Sequence, residues 1–201
     1  MRAPQGLQRS LDALRRAARP LRALPRALRE LETREAVLLA FFATFAVLLR
    51  AATRWQLHVP GHSMLGTALL LVLARACVNR GAAATITATL AGLSCAALGM
   101  GSSGPLVVLK LALPGLAVDL GWRWLPVRRP LLRGALLGAC AGATQFLPVA
   151  LAEAIAGVAL PVVLSHALLA AGSKAGFGAV GGAAGLSIAE RLRHHGVISP
   201  G

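Results

Sequence analysis

The chain has 201 residues, 56% of them hydrophobic and only 14% charged, with a mean hydropathy of +0.68. An ordinary soluble domain is about 25% charged, so the composition excludes that class and points to a polytopic membrane protein. The net charge of +14 would suit a nucleic-acid binder, but aromatics are 4% and tyrosine is absent, so no base-stacking platform is visible and no nucleic-acid partner is expected.

Residues 1–35 form a basic arm carrying Arg2, Arg9, Arg15, Arg16, Arg19, Arg22, Arg26, Arg29 and Arg34. Leu11, Leu14, Leu21, Leu24, Leu28 and Leu31 recur at roughly helical spacing, while Pro20 and Pro25 break the pattern into short pieces. Such an arm beside a membrane span is attracted to anionic lipid on the cytoplasmic leaflet. The positive region is too long for a cleavable signal peptide, and Asp12, Glu30, Glu32 and Glu35 count against a transit peptide.

Six apolar segments follow: 36–52, 63–78, 82–98, 105–120, 131–151, and one from about 160 to 188 interrupted by Gly172, Gly176, Gly178, Gly181 and Gly182. A span needs about 20 residues, with a range of roughly 17 to 25. The expected fold is an all-α integral membrane bundle of six transmembrane helices (36–193), between the basic amphipathic arm and a short tail (194–201). Arginine bias puts both termini inside, with the 79–81 turn and the 121–133 loop. Arg50 and Arg54 alone break that pattern, and Trp55, Trp122 and Trp124 fall at expected interfaces. Cys77, Cys95 and Cys140 lie within apolar runs without CxxC spacing and read as small buried residues.

Polar groups inside spans cost insertion energy and tend to face an interior or a partner. Lys110, Gln145, Glu153 and His166 all fall in the outer half or middle of the bundle, and the HVPGH stretch delivers His58 and His62 to the same side. One outward-opening polar cavity is the economical reading. The structural alternatives are a Lys110–Glu153 ion pair, a hydrogen-bonded His166, and Lys174 snorkelling toward the inner headgroups. Asp119 is expected to pair with a nearby arginine at the inner surface, and His194 and His195 to be solvated. Pro60-Gly61 ends the loop, with Ser63 as the expected N-cap of span two and His62 at the helix's positive end.

Ala36 and Ala40 form a small-xxx-small pair on span one, with Ala43 near that face, and Gly178 and Gly182 repeat the spacing on span six. Six short spans, a basic inside N-terminus and this AxxxA face resemble the substrate-binding S components of energy-coupling factor importers, over roughly residues 33–193. The resemblance implies capture of a vitamin-like solute from outside a bacterial cytoplasmic membrane. It implies partners too: a transmembrane T subunit, docked by Ala36 and Ala40, and two ATP-binding subunits. The segment Val59–Gly66, followed by the glycine-rich stretch 99–104, also resembles the cobalt and nickel permease branch, in which a histidine at the position of His62 ligates metal. That branch takes further ligands from an N-terminal Met-His pair, whereas this chain starts Met1-Arg2, leaving His58 as the substitute ligand.

No phosphate loop, HExxH, Gly-x-Ser-x-Gly or paired-carboxylate motif is present. No catalysis and no cofactor are expected, and ATP hydrolysis belongs to partners. Two classes stand: a transport subunit binding a small solute, and a non-transporting membrane scaffold whose arm recruits lipid or a soluble partner. Within transport, an anionic organic ligand fits Lys110 and a divalent cation fits His58, His62 and His166; the scarcity of acids in the spans leans toward the organic solute.

Overall fold

In a computed structural model of the chain, the described residues are 33–53, 61–78, 80–100, 106–127 and 129–196. The arm up to residue 32 and the loop bearing His58 lie outside them. The described structure is helical: α1 (Thr33–Thr53), α2 (Ser63–Cys77), α3 (Ala83–Ala97), α4 (Leu106–Trp124), α5 (Pro130–Ala143), α6 (Phe146–Ile155) and α7 (Leu160–His194). The chain divides into two units, Met1–Ala36 and Val37–Gly201, and the packing below belongs to the second.

Three stretches are long and apolar enough to cross a membrane: Thr33–Ala52, Pro130–Ile155 and Leu160–His194. Large apolar side chains cover the outside as well as the inside; Phe41, Leu48, Leu131, Ile155, Leu168 and Leu169 are all exposed. Apolar patches of that extent mark a surface made for contact with lipid or another chain, and they suggest a membrane protein.

Where two helices were expected to be one, proline decides. The segment 131–151 is two helices separated by a turn at Thr144-Gln145. Pro148 has no N–H to donate to the carbonyl four residues back, that of Thr144, so the ladder stops there. The Gln145 N–H bonds instead to the Gly142 carbonyl at 3.1 Å, and Pro148 sits in the first turn of α6, where its missing donor costs least. At the far end of α6, Gly157 takes φ 75°. Its N–H and that of Val158 close on the Ala154 and Glu153 carbonyls at 3.1 and 3.2 Å, a Schellman ending that needs a left-handed residue.

The glycines expected to interrupt the last segment do not: α7 runs unbroken for 35 residues. At about 1.5 Å per residue it is about 52 Å long, well beyond a bilayer's hydrocarbon core. Gly178 and Gly182 face Gly134 and Gly138 of α5 so closely that a methyl group would strike backbone, and Gly142 abuts the Lys174 carbonyl. Gly181 and Gly185 meet the backbone of α2 at Leu65 and Leu69 in the same way. Close backbone approach is how helices associate in lipid, where apolar burial offers no drive. Around this crossing lies the main core, with Leu71, Val72, Val118, Leu137 and Leu186 buried. A second cluster joins α1 to α3 and α4 through Ala43, Val47, Ala91, Cys95, Val107 and Leu111.

Candidate functional site

Two polar regions lie at opposite ends of the bundle. The first gathers the C-termini of α2, α4 and α7 with the N-termini of α3 and α5. Asp119, on α4, is buried. It accepts the backbone N–H groups of Ala84 and Thr85 at 3.3 and 2.8 Å and the Thr85 hydroxyl at 2.6 Å. Those are orphan donors of the first turn of α3, whose own N-cap position, Ala82, has no side chain to supply. A carboxylate from a neighbouring helix therefore caps α3, at the end where the helix dipole favours negative charge. Arg75 Nε lies 3.3 Å from Asp119 Oδ1, both side chains being almost completely enclosed. The arginine expected to pair with Asp119 thus comes from α2, and the pair is buried rather than superficial.

Arginines treat the helix C-termini the same way. Arg75 donates to the Val78 carbonyl at 3.2 Å, Arg193 to that of Ala76 at 2.9 Å, and Arg133 to that of Trp122 at 2.9 Å. Arg75 and Arg133 also lie over the Trp122 ring, 5.1 and 4.3 Å from its centroid, where its quadrupole attracts cations. This end is a capping network, and its side chains are committed to backbone. Beside it, a cavity of about 580 Å³ is lined by Pro130, Leu131, Ser187, Glu190, Arg191, His194 and His195. Of these only Pro130 and Ser187 are even half-buried.

The other end is built differently. Gly61 has φ 98° and sits where a Cβ would come within 3.1 Å of Phe177 and 3.3 Å of Ser173. Only glycine combines that conformation with that approach to α7. The helix then starts through Gly61 and His62: the Met64 and Leu65 N–H groups bond to their carbonyls at 2.9 and 3.1 Å. His62, not Ser63, occupies the cap position, and it makes no side-chain cap bond. Next to it a cavity of about 440 Å³ opens between α1 and α2. Phe45, Ala46, Leu49, Leu65, Leu69 and Leu70 form its apolar wall, and Arg50, His62, Ser63 and Thr67 its polar positions.

The remaining expected site residues fall into two other groups. Gln145 Nε2 donates to the backbone carbonyl of Lys110 at 2.6 Å. That carbonyl is four residues before Pro114, a proline inside α4. Proline removes the N–H that would have bonded it, and in an apolar bundle a neighbouring side chain must take over. Gln145 is that replacement. Glu153 Oε1 and His166 Nδ1 pair with each other, joining α6 to α7; Glu153 is half-buried and His166 exposed. Glu153 therefore partners His166. Ala36 and Ala40 are exposed on α1, whereas Ala43 turns inward. No cluster of three metal-ligating side chains occurs among the described residues, and His58 lies outside them.

Sequence reasoning missed Arg50 and Lys174. Arg50 stood only as an exception to the charge bias, yet it lines the cavity. Lys174, expected to reach for the inner headgroups, is half-buried on α7, with its backbone carbonyl against Gly142 of α5. Comparison of the chain with known protein families, with curated proteins and with solved structures finds no match.

Proposed function

We propose that this protein is a membrane-embedded solute-capture subunit of an energy-coupling factor type importer, spanning the membrane six times and relying on partner ATPases. The observation that carries the reading is the cavity of about 440 Å³ beside His62, apolar on most of its wall and set with Arg50, His62, Ser63 and Thr67. Ligand sites have this character: about 300–1,000 Å³, mostly apolar, with a few polar groups that fix orientation. The exposed Ala36 and Ala40 support a docking role for α1 toward a T subunit, since small residues let helices approach closely. The basic arm would hold anionic lipid at the cytoplasmic face. A vitamin-like organic solute is favoured over nickel or cobalt, because the cavity wall is mostly apolar and Arg50 is among its few polar positions.

The test is a thermal-stability screen of the purified chain in detergent against vitamins, their precursors, Ni²⁺, Co²⁺ and Zn²⁺, beside His62→Ala and Thr67→Leu variants. A captured solute present at a hundredfold excess over its dissociation constant stabilises the protein by about 2.7 kcal/mol. The expected result is a shift with an organic compound that both variants reduce. A shift confined to the metals and lost in His62→Ala would convert the reading to metal uptake. No shift with any compound would leave the scaffold reading in its place.

A further inference from the structure

The cavity of about 440 Å³ between α1 and α2 is polar at one end and apolar at the other. Its register is fixed where Leu49 overlies Gly66, so closely that a methyl group on Gly66 would strike the leucine side chain. Residues 54–62 join the two helices, a connection short enough to make them antiparallel neighbours. Arg50, His62 and Ser63 therefore sit at the connected end, while Phe45, Ala46, Leu69 and Leu70 lie beyond the Leu49–Gly66 contact. Thr67 marks the boundary, and its hydroxyl already donates to the Ser63 carbonyl at 2.8 Å. From Ser63 to Leu70 the wall runs about 10 Å along α2 by helical rise, and past Thr67 no lining side chain carries a polar atom. The opposite wall, α1, is loosely seated. Among the described helices it alone makes hardly any close backbone approach to a neighbour, and side chains such as Ala43 and Val47 hold it in place. Phe45 both lines the cavity and is exposed, beside Phe41 and Leu48 on the outer face of α1. The apolar end of the cavity thus borders the apolar exterior of the bundle.

We infer, on the basis of the capture reading above, that the solute is an amphiphile, with a hydrogen-bonding head at His62 and Ser63 and an apolar body lying along Leu69 and Leu70, admitted from the bilayer side past Phe45. A hydrophilic solute long enough to fill the cavity would press polar groups against leucine with no partner, and unmet hydrogen bonds cost more than such contacts return. An apolar body loses nothing there, and each methylene taken out of water strengthens binding about fourfold. The head is held at the connected end because the polar positions are confined to it.

The test uses the full chain in detergent and the series of 1-alkanols from butanol to dodecanol, each read as saturable protection against thermal unfolding. Glucose and uridine serve as hydrophilic probes. Alkanol affinity is expected to rise about fourfold per methylene and then to level off once the chain outgrows the apolar end, while partition into the micelle keeps rising. Ala46→Leu shortens that end and is expected to bring the levelling-off to shorter alkanols. Phe45→Ala lengthens it and is expected to move the levelling-off to longer ones; one folded variant suffices for the comparison. 1-Methoxyoctane, which lacks the hydroxyl donor, is expected to bind about fivefold more weakly than 1-octanol. Affinity that tracks micelle partition throughout, or a levelling-off that the folded variants leave in place, would overturn the inference. Binding of glucose or uridine without any alkanol would sink the amphiphile while leaving solute capture intact, and silence from every probe would defeat both. Protection abolished by added phospholipid would make the groove a lipid-tail site, and the inference would fail on that count too.

Discussion

Asp119 illustrates how one side chain carries several obligations. It caps α3 through two backbone N–H groups and the Thr85 hydroxyl while facing Arg75 in a buried setting. Removing one partner of a buried pair leaves an uncompensated charge, which costs about 3–5 kcal/mol. Asp119→Ala is therefore expected to destabilise the protein by that order in detergent unfolding. Asp119→Asn, which keeps an acceptor for α3, should cost less; equal costs would mean that the capping acceptor contributes nothing beyond the charge. The sequence placed an arginine near Asp119 but not which one, since Arg75 is 44 residues away along the chain. Gln145 and Pro114 form a second residue-scale unit. Gln145→Leu leaves the Lys110 carbonyl unsatisfied, at about 1–3 kcal/mol. In a Pro114→Ala background the restored N–H can bond that carbonyl, so the same substitution should become nearly neutral. A double-mutant cycle reads the coupling, and strictly additive effects would refute the assignment. The proline was a legible signal of a freed carbonyl; the identity of its partner was not.

Helices were largely legible as elements, because apolar runs bounded by Gly, Pro and Arg mark them. The two misreadings share one cause. Glycine and proline were weighed by their local propensities, whereas their effect here depends on what lies across the interface. Gly172 and Gly176 have open space where a side chain would go, while Gly138 and Gly178 face each other's carbonyls. Gly172→Ala and Gly176→Ala should thus stabilise α7 by up to about 1 kcal/mol each. Gly138→Val should prevent the α5–α7 crossing and abolish folded protein in size-exclusion chromatography. Comparable yields and melting temperatures for all three would show that the crossing tolerates separation. The break between α5 and α6 is the converse case: Pro148 is visible in the sequence, yet an unbroken span was the simpler reading until the turn at Thr144-Gln145 showed where the ladder stops.

Across the whole molecule, α2, α4 and α7 end where α3 and α5 begin, as the arginine and Asp119 contacts require. This antiparallel alternation fits short connections and gives the bundle an arginine-rich end and a cavity end. The proposed orientation puts the arginine-rich end inside. With the native cysteines replaced, a cysteine at Gly157 should react with a membrane-impermeant maleimide in intact cells, and one at His195 only after permeabilisation. The reverse labelling would invert the topology and place the cavity on the cytoplasmic side.

By itself the sequence determined the helical, apolar character of the chain and where its charges sit along it, because hydropathy and arginine placement are properties of local composition. It also marked Gly61-His62 as the start of a helix, since a Pro-Gly pair ahead of an apolar run favours a turn. The tertiary structure alone decided which charges meet. It assigned Arg75, Arg133 and Arg193 to helix ends, Gln145 to a carbonyl freed by proline, and His166 to Glu153. It also moved Arg50 from an exception in a charge count to the wall of a cavity. Those pairings join residues from different helices, and the register of one helix against another is fixed by glycine contacts whose partners lie far away in the chain.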